Sequence, residues 1–172
     1  MGSREWVLWL LVTASAVHVV EEHALGWQGW ADETLGRRIG AHPTWADFWA
    51  TNTALLTFGF AAAFVGWQAT WFALAFPALC LINAVLFHVL PSLVQRRPNP
   101  GVFTAVALYL PLGIWCYVAA GRDAVTSAGA VAGSVVVGAV LMASAVGFLK
   151  LKPRFAYPDS VVSENGERDG GR

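Results

Sequence analysis

Five stretches of this chain stay apolar for about the 20 residues that a helix needs to cross a bilayer. They lie near residues 6–24, 48–66, 69–94, 102–120 and 128–149. In lipid, every backbone N–H and C=O must find its partner inside the segment, so runs of this length predict helices. The expected fold is all-α: a polytopic transmembrane helical bundle of about five spans. Of the 172 residues, 56% are hydrophobic and 13% charged, where a soluble domain carries roughly 25% charged residues. The formal net charge is zero, which leaves no electrostatic case for a nucleic-acid partner.

Residues 1–157 read as one transmembrane domain. Residues 158–172 are polar and aperiodic and read as a disordered tail. Ala14-Ser15-Ala16 mimics a signal-peptide cleavage site, but the residues before Trp6 carry no net positive charge. Cleavage there would also strand Glu21 and Glu22 at a new terminus, so the first stretch is expected to remain as a span. Only Gly66-Trp67-Gln68 separates the second stretch from the third, which predicts a tight antiparallel hairpin. Pro77 and Pro111 fall inside spans and predict kinks without breaks. The long connection 25–47 carries Trp27, Trp30 and Trp45 and predicts an amphipathic piece in the interface. The fifth stretch places Gly129, Gly133, Ser134, Ala139, Ala143 and Gly147 at packing intervals, suited to close helix contact within the chain or in a homodimer. Cys80 and Cys116 lie in apolar stretches and read as inert buried thiols.

Basic residues set the expected orientation. With five spans, Arg37, Arg38, Arg96, Arg97, Lys150, Lys152, Arg154, Arg168 and Arg172 share one side, and Arg4 and Arg122 the other. That asymmetry predicts an outside N-terminus and a cytoplasmic C-terminus. Eight of the nine tryptophans then fall at span ends, as an aromatic belt requires, with Trp115 alone well inside.

His18-Val19-Val20-Glu21-Glu22 sits in the first stretch. Ionisable groups at bilayer depth are expensive and usually functional. On a helix, Glu21 and Glu22 lie three and four residues past His18, so all three share a face. At about 1.5 Å per residue, His18 and Glu22 lie roughly 18 to 24 Å below Trp6, and His88 roughly 25 Å below Trp71. Asn52, Asn83, Thr104 and Tyr109 fall in or near the same layer under the cytoplasmic face. Arg96 and Arg97 stand at its mouth, placed to mark topology or to meet an anionic group.

Two imidazoles and two carboxylates suit one transition metal ion such as zinc, iron or manganese. The expected ligands are His18, Glu21, Glu22 and His88, with Asn83, Asn52, Thr104, Tyr109 and Arg97 as supporting or substrate-facing groups. The same four residues can serve as catalytic groups without metal, a buried glutamate acting as acid and a histidine as its proton partner. Three readings follow: a membrane metalloenzyme acting on a lipophilic substrate that enters from the bilayer; metal-free cyclisation or isomerisation of an isoprenoid-like substrate; and a small transporter or structural protein whose polar cluster locks helices.

The chain also resembles the HXXEE-domain family of small integral membrane proteins. The resemblance rests on His18-Val-Val-Glu21-Glu22, on Asn83-Ala-Val-Leu-Phe-His88, on Pro91-Ser-Leu-Val-Gln-Arg-Arg97, on Pro100-Gly101-Val-Phe-Thr104 and on Pro111-Leu-Gly113. It covers roughly residues 6–120. It implies a bacterial-type cytoplasmic-membrane protein and picks out His18, Glu21, Glu22, Asn83 and His88, without implying a reaction. The chain departs from the family at Arg97-Pro98-Asn99-Pro100, where an aromatic or aliphatic residue is expected before Pro-Gly, so the loop there is expected to differ locally.

Overall fold

The structure is a computed structural model that describes residues 3–151, the side chain of Arg38 excepted. The tail assigned to 158–172 lies outside the described residues. Among the described residues the fold is all helix. Helix α1 is Trp6–Ala24, α2 is Trp27–Ile39 and α3 is Trp45–Val65. Helix α4 (residues 70–95) runs through Thr70–Asn83, a π-helical stretch at Ala84–Val89 and a last turn at Leu90–Gln95. Helix α5 is Val102–Arg122, with its own π-helical stretch at Ala105–Tyr109. Helix α6 is Ala128–Leu151.

Among the described residues, four helical stretches are long and apolar enough to cross a membrane, one of them being Trp45–Gln95, which folds back on itself. The fold-back is the expected hairpin. A short 3₁₀ turn, Gly66–Ala69, joins α3 to α4. Gly66 adopts φ +54°, and a Cβ there would stand 2.6 Å from Glu5 Oε2. A side chain at this turn is therefore opposed by both backbone conformation and space. The legs then zip together: Phe58 meets Phe72 and Phe76 edge-on, and Phe76 fills the space over Gly59.

Helix starts follow the local chemistry. Thr44 and Asp47 form a capping box at the N-terminus of α3, each side chain serving the other's backbone N–H. The 25–47 connection is largely α2, a helix of mixed polarity. Pro77 sits inside an α-helical run that continues unbroken. The two wide turns instead end just ahead of Leu90-Pro91 and Leu110-Pro111. A proline ring crowds the carbonyl four residues earlier and offers it no N–H. A widened preceding turn accommodates that defect.

The interior is rich in alanine, beside large buried side chains such as Phe76 and Tyr109. Ala73, Ala75, Ala78, Ala84, Ala105, Ala119 and Ala120 are buried, while Phe64 is 83% and Leu93 69% exposed. Helix α6 packs chiefly on α4. The contact is closest at Gly138, where a Cβ would stand 2.8 Å from the Leu79 backbone N and 2.9 Å from Ala78 Cβ. Ser134 is buried beside it and hydrogen-bonds the Tyr117 hydroxyl at 2.8 Å. Ala139 and Ala143, from the expected small-residue stripe, are exposed. The inward face of α6 is thus carried by Ser134 and Gly138.

At the opposite end from the polar residues of α1, the chain is clasped by charge. Asp123 accepts from the Arg4 backbone N–H at 2.6 Å and from Trp67 Nε1 at 3.0 Å, and pairs with the Arg4 guanidinium. The clasp joins the start of α1, the hairpin turn and the end of α5.

Candidate functional site

Three helices deliver the polar cluster. α1 supplies His18 and Glu22, one turn apart, and the π-helical stretch of α4 supplies His88. α5 supplies Thr104 and Tyr109. His18 and His88 are each 1% exposed and Glu22 is 5% exposed. Glu22 Oε1 lies 3.6 Å from His18 Nε2 and 3.5 Å from His88 Nε2. One donor atom from each of the three residues falls within 4.8 Å of the other two.

The far sides of both rings are tied down. Asn99 Nδ2 donates to the Phe87 carbonyl at 2.8 Å, which turns Asn99 Oδ1 toward His88 Nδ1 at 3.3 Å. That carbonyl is the one Pro91 cannot serve, so the proline defect helps to fix the amide. Asn99 Oδ1 can only accept, so His88 carries its ring proton on Nδ1. His18 Nδ1 lies 2.7 Å from Thr104 Oγ1, which also lies 3.4 Å from the Gly101 carbonyl oxygen. The threonine hydroxyl can donate or accept, so this contact orients the His18 ring without fixing its tautomer. Both Nε2 atoms are buried and have no hydrogen-bond partner among the described residues, and that of His88 is left as a bare lone pair. Burying such groups unpaired costs about 1–3 kcal/mol each.

The loop between α4 and α5 closes the cluster. Gly101 has φ +92°, and a Cβ on it would stand 2.6 Å from His88 Cε1 and 2.8 Å from His18 Cε1. Glycine is required here twice over, by conformation and by the two rings. Tyr109 is fully buried, its ring 4.4 Å from that of His18, with its hydroxyl beside Ser15 and Cys80.

The two glutamates of the motif do different things. Glu21 Oε1 accepts from the backbone N–H groups of Gly101 and Phe103 at 3.1 and 3.2 Å, and Oε2 from that of Thr104 at 2.7 Å. These are the unpaired amides at the start of α5, where the helix dipole also favours an anion. Glu21 therefore caps α5 from α1 and locks the loop that carries Asn99 and Gly101. Glu22, the next residue, is left to face the two histidines.

The remaining expected site residues lie elsewhere. Asn52 and Asn83 line a groove between α3, α4 and α6. Arg97 turns to the surface, donating to Glu33 Oε2 at 3.2 Å and Gln95 Oε1 at 3.3 Å. Its hydrogen bond, together with Arg37, holds the Glu33 carboxyl below the usual carboxylate range. Asn99 and Gly101 were not expected as site residues. The signal for Asn99 was the polar residue at the departing position before Pro-Gly; the signal for Gly101 was its place beside Pro100.

Residues 9–116 match a family described as "Protein of unknown function with HXXEE motif". The chain belongs to the HXXEE family. The matched stretch takes in His18, Glu21, Glu22, His88, Asn99, Gly101, Thr104 and Tyr109, and stops before α6. No curated protein and no solved structure matches the chain.

Proposed function

We propose that this HXXEE protein is an integral membrane enzyme that holds one transition metal ion on His18, Glu22 and His88 and acts on a lipophilic substrate. The observation that carries this reading is the convergence of two unpartnered Nε2 atoms on Glu22 Oε1. The separations of 3.5 and 3.6 Å are too long for hydrogen bonds. They match the roughly 3.3 Å edge of a tetrahedron whose ligands stand about 2.0–2.1 Å from zinc. A cluster that served only to lock helices gains most by closing to direct hydrogen bonds, and this one is held apart.

Two histidines and one carboxylate leave coordination positions open for water or substrate. That is the pattern of catalytic zinc sites and of non-haem iron sites, and manganese shares the preference for such donors. A bound ion would supply Lewis acidity, or redox chemistry in the case of iron. The chain's own part is to fix the ring orientations through Thr104 and Asn99, and to exclude water through Gly101 and Tyr109. Groups that hydrogen-bond the far nitrogen of a ligating histidine orient it and raise its basicity. Glu21 enters this reading as a positioning residue that holds the loop.

The membrane setting is supported by the outward-facing large apolar side chains and the alanine-rich interior. The excess of basic residues at one end supports a cytoplasmic C-terminus and a site near the cytoplasmic leaflet of a bacterial-type membrane. The test is metal content by inductively coupled plasma mass spectrometry of purified wild type beside a His18→Ala, Glu22→Ala double variant. Near-stoichiometric zinc, iron or manganese in wild type alone is the expected result; equal metal in both ends the proposal. If neither holds metal and turnover of a lipid extract survives chelation, acid–base catalysis by Glu22 and a histidine takes its place.

A further inference from the structure

A second feature of the fold is separate from the His–Glu cluster. From its close contact at Gly138, α6 runs on past α4 and leaves a groove of about 490 Å³ against α3. Its walls are apolar: Leu55 and Phe58 from α3, Leu79 from α4, and Leu141, Met142 and Phe148 from α6. Phe148 is 57% exposed, so the groove opens on the outer surface of the bundle. Two amides interrupt this wall. Asn52 is 9% exposed and donates its Nδ2 to the Phe48 carbonyl at 3.0 Å, which leaves its oxygen as an acceptor. Asn83 Oδ1 is buried and has no hydrogen-bond partner.

A lipid tail lying in the groove would satisfy the walls but not Asn83. An unpaired buried amide oxygen costs about 1–3 kcal/mol, and a hydroxyl from a ligand removes that cost. Size restricts the rest of the ligand. At roughly 30 Å³ per heavy atom, the share of a water molecule in the liquid, the groove takes on the order of sixteen non-hydrogen atoms. That is one chain, not the two of a diacyl lipid. A charged head is disfavoured, since among the described residues no lysine, arginine or carboxylate lines the groove.

We propose that this groove binds a single-chain lipophilic alcohol, its hydrocarbon against α3 and α6 and its hydroxyl on Asn83. The proposal concerns a binding site apart from the His–Glu cluster and needs no metal.

The test is photolabelling of the full chain in phosphatidylcholine nanodiscs with a diazirine analogue of hexadecanol, mapped by peptide mass spectrometry. Label is expected on Leu79, Met142 and Phe148, competed by unlabelled hexadecanol and not by hexadecane. Asn83→Leu is expected to weaken saturable labelling about tenfold, the effect of one hydrogen bond of about 1.4 kcal/mol. Ala145→Trp, which fills the groove from the lipid-facing helix, is expected to abolish it. Glu22→Gln is expected to label as wild type does, so failure of the metal reading and failure of this one are told apart. Label spread over Phe103, Val106 and the outer face of α6 without competition would mean ordinary surrounding lipid, and would overturn the proposal. So would saturable groove labelling that survives both Asn83→Leu and Ala145→Trp.

Discussion

Gly101 packs against the edge of His88 so closely that a Cβ on it would stand 2.6 Å from Cε1. The same Cβ would press on His18, and φ of +92° already disfavours any other residue. Gly101→Ala is expected to cost about 1–3 kcal/mol of backbone strain and to displace both rings. Thermal unfolding in detergent should fall together with bound metal. A variant with wild-type melting and full metal would show that the loop does not set the ring positions.

The paired glutamates should separate cleanly by substitution. Glu21→Gln removes the charge that caps α5, at a cost of about 1–2 kcal/mol, and should lower the melting temperature while bound metal persists. Glu22→Gln removes a buried carboxylate and should abolish metal binding without comparable loss of stability. The two readouts, melting and metal content, are predicted to move in opposite variants; loss of metal in both, with stability intact in both, would make Glu21 a ligand.

Asn99 fixes the tautomer of His88 and occupies the Phe87 carbonyl. Asn99→Leu keeps the volume and loses both bonds. Metal affinity, measured by competition with a chelator, should fall about 10–100-fold, the usual effect of removing such a partner. An unchanged affinity would mean that His88 needs no orienting group.

The clasp at the other end should respond to acid. Hydrogen bonds from the Arg4 backbone, then from its side chain and Trp67, hold the Asp123 carboxyl below its ordinary value of 3.8. A depressed carboxyl contributes stability that is present above its unfolded value and is lost as pH falls through its folded value. The melting difference between wild type and Asp123→Asn should therefore be constant from neutrality to about pH 5 and shrink below about pH 4. A difference that grows on acidification would contradict the assignment.

Gly138→Val should force α4 and α6 apart, because a Cβ there meets backbone at 2.8 Å. Overpacking of this kind typically costs about 1–3 kcal/mol. Metal content should be unaffected, since α6 contributes nothing to the His–Glu cluster; a parallel loss of metal would show that the two regions are coupled.

Much of this arrangement is local and can be read from the chain. Helices of this length follow from apolar run length, and the hairpin follows from three residues between two such runs. His18 and Glu22 must share a helix face because they are four residues apart. The depth estimate put His88 level with them because rise per residue is fixed. Depth is not direction, however. Asn52 and Asn83 were placed near the same layer, yet they line a different groove, because the rotation of each helix about its axis is set by packing against its neighbours. The separate tasks of Glu21 and Glu22 also escape a linear reading. They depend on the 96–101 loop and the first turn of α5 folding back to offer the Gly101, Phe103 and Thr104 amides to one carboxylate while Asn99 and Gly101 lock the two imidazoles beside the other. Those contacts join residues some 80 positions apart in sequence, and no periodicity within a helix encodes them; only the meeting of α1, α4 and α5 brings the donors and acceptors within reach.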